Sequence, residues 1–403
     1  ATGMVFTYQI AASNNPTVFS MFYAPSWLSV NSTTGIISGT PYAGGEIVVK
    51  IAATNAIGTA MQDLAISVGD NAPFEYSMEI TPNYTGGSAL TDWPMLLRLS
   101  ESDTTLFDAG FRYSQLKDGA ADLRFQTTAG IECKYEVEEW NTEGESRVWV
   151  QVPSLAAGDK LIMRWGYSAA AAPAYTTDGS AWSDSHLGVW HLNSGSPNDS
   201  TAANNVPTAS GTVTESTGVI GEARYFDNSY LRVPNESHFD HYDNLTVHLW
   251  VRRSGWRENW QGFIAKRGEG NQGWQLRRHN NTNNPSFTLR GTTGDDAGHI
   301  TGYTIPDNTW VHWVAVFGGE KRRVYADGVE IQNMYDAGTI TPNDYDVLIG
   351  ARDNGSSKHR GDIDEVRVEK VARPAEWATA SYENQKAGST YLGYSNFAGP
   401  PKL

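Results

Sequence analysis

The chain has 403 residues, with 45 acidic against 30 basic side chains, a formal charge of -15 and a pI near 5.0. Such a field repels polyanions, so the balance excludes non-specific binding to nucleic acid or to an anionic membrane surface. The lone Cys133 excludes an internal disulfide, a cysteine-based zinc site and a redox pair, and no apolar run reaches the roughly 18 residues of a membrane span. Abundant Gly, Thr, Ser and Asn with few helix-forming runs give an all-β composition. The length allows two to four domains of about 100 to 200 residues each. No signal segment opens at Ala1 and no sorting tail closes at Leu403. A monomeric fragment of a larger secreted or cell-surface protein is the expectation.

Residues 1–70 alternate in short segments. Ile47, Val49, Ile51 and Ala53 share one face of a strand, Leu64, Ile66 and Val68 share one face of the next, and Asn55 to Gly58 connects them, which predicts a small β-sandwich. The runs Pro25-Ser26-Trp27-Leu28-Ser29-Val30 and Thr34-Gly35-Ile36-Ile37-Ser38-Gly39-Thr40-Pro41 resemble bacterial immunoglobulin-like or cadherin-like modules. The resemblance implies a spacer without catalysis. Gly69 to Pro73 reads as a linker.

A second β-sandwich is predicted over 71–180. Its strands are marked by Trp93, Met95, Leu97 and Leu99, by Val148, Val150 and Val152, and by Leu161, Met163 and Trp165. The motifs at 90–94, 121–125, 135–140 and 148–153 resemble an uncharacterised bacterial domain that commonly precedes a laminin-G-like module, which implies an architecture and no activity. Glu132, Glu136, Glu138 and Glu139 form an acidic cluster that reads as a solvated strand face rather than a catalytic pair. Ala169 to Ala174, small and low in complexity, reads as a hinge.

The third unit, 181–403, carries Leu187-Gly188-Val189-Trp190-His191-Leu192, Gly221 to Asp227, Thr309 to Val316, Tyr325 to Val329, Leu348-Ile349-Gly350 and Gly361 to Val368. In order and spacing these resemble the laminin-G-like or concanavalin A-like jelly-roll lectin family over about 185 to 395. The resemblance implies two antiparallel sheets with ligands on the concave sheet or its rim loops. The residues themselves agree: Val247, Leu249 and Val251 face one way and His248, Trp250 and Arg252 the other. Asp327-Gly328 marks a tight hairpin, and Pro374, Trp377, Tyr382 and Gly388 mark one closing helix. The expected fold is therefore all-β, three β-sandwich domains in tandem, the last a concanavalin A-like jelly roll with one short C-terminal helix.

Within this acidic chain, 248–290 is a basic island: Arg252, Arg253, Arg257, Lys266, Arg267, Arg277, Arg278 and Arg290 stand against Glu258 and Glu269. Tryptophan rings beside guanidinium forks suit sugar faces and carboxylate or sulfate groups. The ligand-binding candidates are Trp250, Arg252, Trp256, Trp260, Trp274, Arg277, Arg278, His279 and Arg290, and the expected partner is a sulfated or uronic polysaccharide. Strand alternation points Arg277 and Arg278 to opposite faces, so only one of them should matter. With no Cys cluster and no His-x-x-x-His pair, metal ligands narrow to oxygen and the ion to calcium. In the resembling folds an Asp of the last strand helps hold structural calcium, which implies Asp364, with Asp227 and Asp199 beside it; Asn228 departs from the usual Gly. Otherwise these carboxylates are satisfied by backbone amides. A different class of function also fits. Asp362 and Asp364, two apart on a strand, have the spacing of a retaining glycosidase pair, and His248, His279, Arg277 and Arg290 could serve a polysaccharide lyase. An adhesive or spacer role without glycan binding is the third reading.

Overall fold

The computed structural model describes residues 5–41, 45–68, 74–193, 195, 197–235, 237–240, 243–267, 272–294 and 298–399. The chain divides into two compact units, residues 1–176 with 391–403, and residues 177–390.

The first unit opens with the predicted small sandwich. Phe6–Gln9, Ile36–Gly39 and Leu28–Val30 form one antiparallel sheet, and Val18–Phe22, Gly45–Asn55 and Gly58–Val68 form the other. The alternating residues Ile47, Val49, Ile51, Ile66 and Val68 close the core with Phe19, Leu28 and Ile37. Asn55 fixes the hairpin between the two long strands, because its Oδ1 accepts the amides of Ile57 at 2.8 Å and Gly58 at 3.2 Å. Gly39 is required where it stands: a Cβ there would fall 1.7 Å from the Trp27 carbonyl oxygen.

In the middle module a five-stranded sheet runs in the order Glu132–Cys133, Arg124–Thr127, Leu161–Trp165, Tyr76–Pro82 and Leu392–Ala398, with Tyr135–Glu139, Ser146–Leu155 and Leu90–Leu99 as a second sheet. Leu392–Ala398, counted by sequence with residues 181–403, pairs instead with Tyr76–Pro82, Leu392 opposite Pro82 and Ala398 opposite Ser77. Phe397 stacks near Tyr76 at 6.1 Å and Tyr391 packs on Trp93 at 5.9 Å. Two expectations are corrected here. The 169–174 stretch is no loose hinge at its start, since Lys117 Nζ donates to the carbonyls of Ser168 and Ala170 and Arg124 Nη2 to that of Ala171. The acidic cluster is a solvated face only in part: Glu136, Glu138 and Glu139 are half-exposed, but Glu132 accepts from the Ser26 amide at 2.7 Å and the Tyr175 hydroxyl at 2.9 Å, and Glu138 accepts from Trp149 Nε1 at 2.7 Å. Burial raises the Glu132 pKa against those hydrogen bonds.

Residues 177–390 form a two-sheet sandwich. The larger sheet runs Val213–Thr217, Glu222–Asp227, Arg360–Glu369, Leu245–Arg253, Trp310–Gly318, Lys321–Ala326 and Val329–Tyr335, with His186–Trp190 also paired to Arg360–Glu369. The smaller runs Thr208–Ser210, Tyr230–Val233, Val347–Ile349, Gly262–Lys266, Trp274–Arg278 and Pro285–Leu289. Between them lies the apolar core, with Val247, Leu249 and Val251 from one sheet and Trp274, Leu276, Phe287 and Leu289 from the other. The hairpin at Asp327-Gly328 has φ of 51° and 74°, both in the left-handed region, which is the two-residue turn that matches strand twist. The closing helix is Ala375–Gln385, with Pro374 as N-cap rather than first helical residue, and it ends three residues before Gly388. Among the described residues no helix is long and apolar enough to cross a membrane.

Candidate functional site

The alternation of Leu245–Arg253 sends His248 and Trp250 away from the core, and the closing helix covers them. Trp250 Nε1 donates to Gln385 Oε1 at 3.1 Å and its ring lies 4.7 Å from His312 and 5.8 Å from Tyr382. His248 faces His312 through their Nε2 atoms and meets Trp377 edge-on at 5.7 Å. This is interior, so Trp250 is corrected from ligand candidate to helix-packing residue. His248 likewise does not join His279, Arg277 and Arg290 as a lyase constellation would need. Along the same face, Glu365 pairs with Arg367 and Glu369 with Arg373, each at 2.7 Å, all four nearly inaccessible to solvent. Burial drives the histidines here toward the neutral form: His312 is lowered to about 3, His186 to about 4, and His248 well below the usual value, in the last case with help from His312. Arg252, at the strand's end, pairs with Asp362 at 2.9 Å and lies 4.9 Å from the Trp310 ring.

The smaller sheet has the opposite character. Trp274 and Leu276 face the core, Trp274 at only 2% exposure, so this ring is corrected from stacking platform to core residue. The intervening Gln275 and Arg277 lie on the face away from the core, paired across the strand with Thr288 and Ser286, and all four are buried there, Arg277 at 4% exposure. Arg277 Nη2 donates to Thr288 Oγ1 and its Nη1 to the Arg278 carbonyl, both at 3.1 Å, and Ser286 Oγ lies 3.1 Å from Thr288 Oγ1. Arg278 turns the other way. Its Nε donates to the Thr282 carbonyl at 2.5 Å and its Nη1 to that of Glu258 at 2.8 Å, clasping two loops together. Burial, then the nearby Arg253, lowers its pKa. Arg290, in phase with Thr288, is nearly buried, and its amide donates to the Gly273 carbonyl at 3.0 Å.

Above this polar strip runs the loop 254–261. Trp256 has the guanidinium groups of Arg253 and Arg278 at 4.6 and 4.4 Å from its ring and donates through Nε1 to Asn283 Oδ1 at 2.6 Å. Its position is fixed by that frame. Trp260, with a φ of 62°, has Arg277 at 4.3 Å and Arg352 at 5.9 Å from its ring, and His279 meets it edge-on at 4.9 Å. His279 in turn stacks on His299, centroids 3.5 Å apart and planes 10° from parallel. His299 Nε2 lies 3.3 Å from Asn284 Oδ1. Burial, then His299 and Arg277, lower the His279 pKa; burial, then Arg277, lower that of His299. Of the nine ligand candidates, this face gathers Trp260, Arg277 and His279, with Trp256 and Arg278 framing it. It adds His299 and Arg352, which no motif marked: a bridge between Ser286 and His299 brings the first, and the loop after Val347–Ile349 the second.

The three aspartates proposed for calcium occupy separate places, each with its own partners. Asp199 accepts five hydrogen bonds, from the amides of Val189, Thr201 and Asn205, the Thr201 hydroxyl and the Asn205 side chain. Asp227 meets Arg257 at 2.7 Å and Arg360 at 3.8 Å. Asp364 Oδ2 accepts the amides of Val219 at 2.8 Å and Ile220 at 3.0 Å. That set does not fit an oxygen cage for one ion. Atoms that could hold a metal ion occur at His191 and Glu365, both buried, with Nδ1 and Oε1 2.7 Å apart. With Asp362 on Arg252 and Asp364 on backbone amides, the glycosidase-like pair is committed to structure.

Among solved structures, domain 4 of AbnA, a GH43 extracellular arabinanase from Geobacillus stearothermophilus in complex with arabinotriose, is 19% identical; 48% of this chain covers 96% of it at a TM-score of 0.42. The binding domain of Paraclostridial Mosquitocidal Protein 1 is 14% identical, 50% of this chain covering 52% of it at 0.40. The receptor binding domain of botulinum neurotoxin D is 18% identical, 50% covering 53% at 0.39. The chain thus spans about half the length of these two toxin domains. No curated protein matches it. Residues 1–69 match an Ig-domain family, and residues 226–378 match the concanavalin A-like lectin/glucanases superfamily. The chain therefore carries a domain of the concanavalin A-like lectin/glucanases superfamily, with an Ig domain at its N-terminal end.

Proposed function

We propose that residues 177–390 bind an anionic polysaccharide, sulfated or uronic, on the outer face of the smaller sheet, as part of an extracellular or cell-surface protein. The observation that supports this is the meeting of Arg277, Trp260, His279 and His299 above the polar strip of Gln275, Ser286 and Thr288, in a stretch matching a lectin/glucanase superfamily. A tryptophan ring offers stacking to a sugar face. Arg277, whose guanidinium also donates to Thr288 Oγ1 and the Arg278 carbonyl, is the group that would meet a sulfate or carboxylate. Removing a charge-assisted contact costs about 1.5 to 3 kcal/mol. The test is affinity for acidic and neutral polysaccharides at low and high salt, with the products inspected for new reducing ends or unsaturated uronates. Arg277→Ala and Trp260→Ala are expected to weaken binding, and binding to the acidic chains is expected to weaken as salt rises. Equal affinity for neutral glycans, or full affinity in Arg277→Ala, would overturn the assignment, and depolymerised product would move it to catalysis.

A further inference from the structure

Lys266 belongs to the basic stretch 248–290, yet it is closed off from solvent. It ends the strand Gly262–Lys266 at 1% exposure, a burial that lysine seldom reaches. Its Nζ donates to Asn235 Oδ1 at 2.8 Å, to the Asn343 carbonyl at 2.7 Å and to Asn343 Oδ1 at 3.3 Å, and meets Asp240 Oδ1 at 3.0 Å. A shielded amine, a carboxylate able to carry its protons and a carboxamide in contact with it are the reactants of an amide exchange.

The two carboxamides differ in what else holds them. Asn343 is fixed at both ends, since its Nδ2 donates to the Lys266 carbonyl at 3.3 Å and its Oδ1 accepts the Tyr345 amide at 3.0 Å. It is 7% exposed, and a Cβ on Gly273 would fall 2.4 Å from its Nδ2, so a group leaving from that nitrogen has no room. Asn235 is half-buried, and among the described residues its side chain is held only through Oδ1. A turn about its last torsion presents the face of its carbonyl carbon to Nζ, while its partial exposure leaves the amide nitrogen a way out.

We propose that Lys266 Nζ and Asn235 Cγ join in an intramolecular isopeptide bond, with Asp240 as the proton carrier. Asp240 takes a proton from the Lys266 ammonium, the freed electron pair of Nζ bonds to Cγ, and the carbonyl pair shifts to Oδ1. As that pair returns, the bond between Cγ and Nδ2 breaks. Nδ2 leaves with its own two protons, the one Asp240 carried and a second shed by Nζ, so ammonium departs, the carboxylate is restored and no oxidant is needed. Contact between the reactants makes the attack unimolecular, and burial keeps water from competing with the amine. The product ties the loop after Tyr230–Val233 to the strand Gly262–Lys266 across Val347–Ile349, which lies between them in the smaller sheet, and so restricts the unfolded chain.

The test is the intact mass of the full chain under denaturing conditions, followed by sequencing of its tryptic peptides. The expected result is a chain lighter than its sequence by one ammonia, with two peptides joined through Lys266 and Asn235 and no tryptic cut after Lys266. Lys266→Arg and Asp240→Ala are each expected to restore the full sequence mass. Circular dichroism checks the fold of both variants, and the parent's own mass decides the matter where a variant does not fold. A parent that keeps its full sequence mass after prolonged incubation at neutral pH would overturn the proposal. So would an ammonia loss without joined peptides, which marks a succinimide, or a link made through Asn343. A bond that still forms in Asp240→Ala would overturn the part given to the carboxylate.

Discussion

Lowering the pH from about 7 to about 5 is expected to destabilise residues 177–390 through their buried histidines. His186, His248, His312 and His359 are all buried, and burial lowers each below the ordinary value of 6.5, His312 and His359 to about 3 and His186 to about 4. For a histidine with a depressed folded pKa, stability is complete above the unfolded value. It is lost as pH falls from there toward the folded value, because the unfolded chain binds a proton that the folded one refuses. Each such group costs about 2 kcal/mol over this drop, so the four together remove roughly 7 to 8 kcal/mol. That is the size of a whole domain's stability, about 5 to 15 kcal/mol. Urea unfolding followed by tryptophan fluorescence at closely spaced pH values gives the number of protons taken up on unfolding, expected to approach four. His359→Phe, placed against Phe263, whose ring lies 5.4 Å from His359, should lower that number by about one. A midpoint that does not move between pH 7 and pH 5, or a proton count unchanged in the variant, would refute the reasoning.

Asp364→Ala is expected to lower the melting temperature of residues 177–390 because it strips the acceptor from two amides, at about 1 to 3 kcal/mol for each left unsatisfied, whereas a calcium chelator should leave the parent's melting curve unchanged. Calorimetry of the full chain should show at least two transitions, one for each compact unit, and a single transition carrying the whole enthalpy would contradict the division. Gly328→Ala should cost about 1 to 2 kcal/mol in chemical denaturation, since φ of 74° is strained for any residue with a Cβ and the added methyl would stand 3.1 Å from Thr379 Cα.

Strand patterns were legible wherever one face meets a core and the other meets solvent, as with Ile47, Val49 and Ile51, and the two arginines 277 and 278 divide between faces as alternation requires. The partner of a polar face was not legible. His248-Trp250-Arg252 and Gln275-Arg277 read alike along the chain, yet the first is roofed by a helix more than a hundred residues away and the second lies beneath a short loop. Periodicity reports that a side chain leaves the core, and only tertiary structure says what meets it. Asp199, Asp227 and Asp364 show the same limit, because a carboxylate filled by backbone amides or by arginine looks in sequence like one waiting for an ion. His299 was invisible for want of any pattern, being set beside His279 by a bridge to Ser286 rather than by a repeat.

The return of Leu392–Ala398 to the sheet of the middle module has a mechanical consequence. Residues 177–390 leave that module and re-enter it, so they hang as a closed excursion rather than as a link in series. In the antiparallel pairing Ala398 lies opposite Ser77 and Leu392 opposite Pro82. Tension applied across residues 76 and 399 therefore pulls at one end of the ladder and peels it bond by bond, instead of shearing all its bonds at once. Until that seam has opened, the tension bypasses the sandwich of residues 177–390. A ligand held there stays off the load path, and stretching the protein in a force spectrometer should first release the short seam at low force and only then extend the domain that it shields.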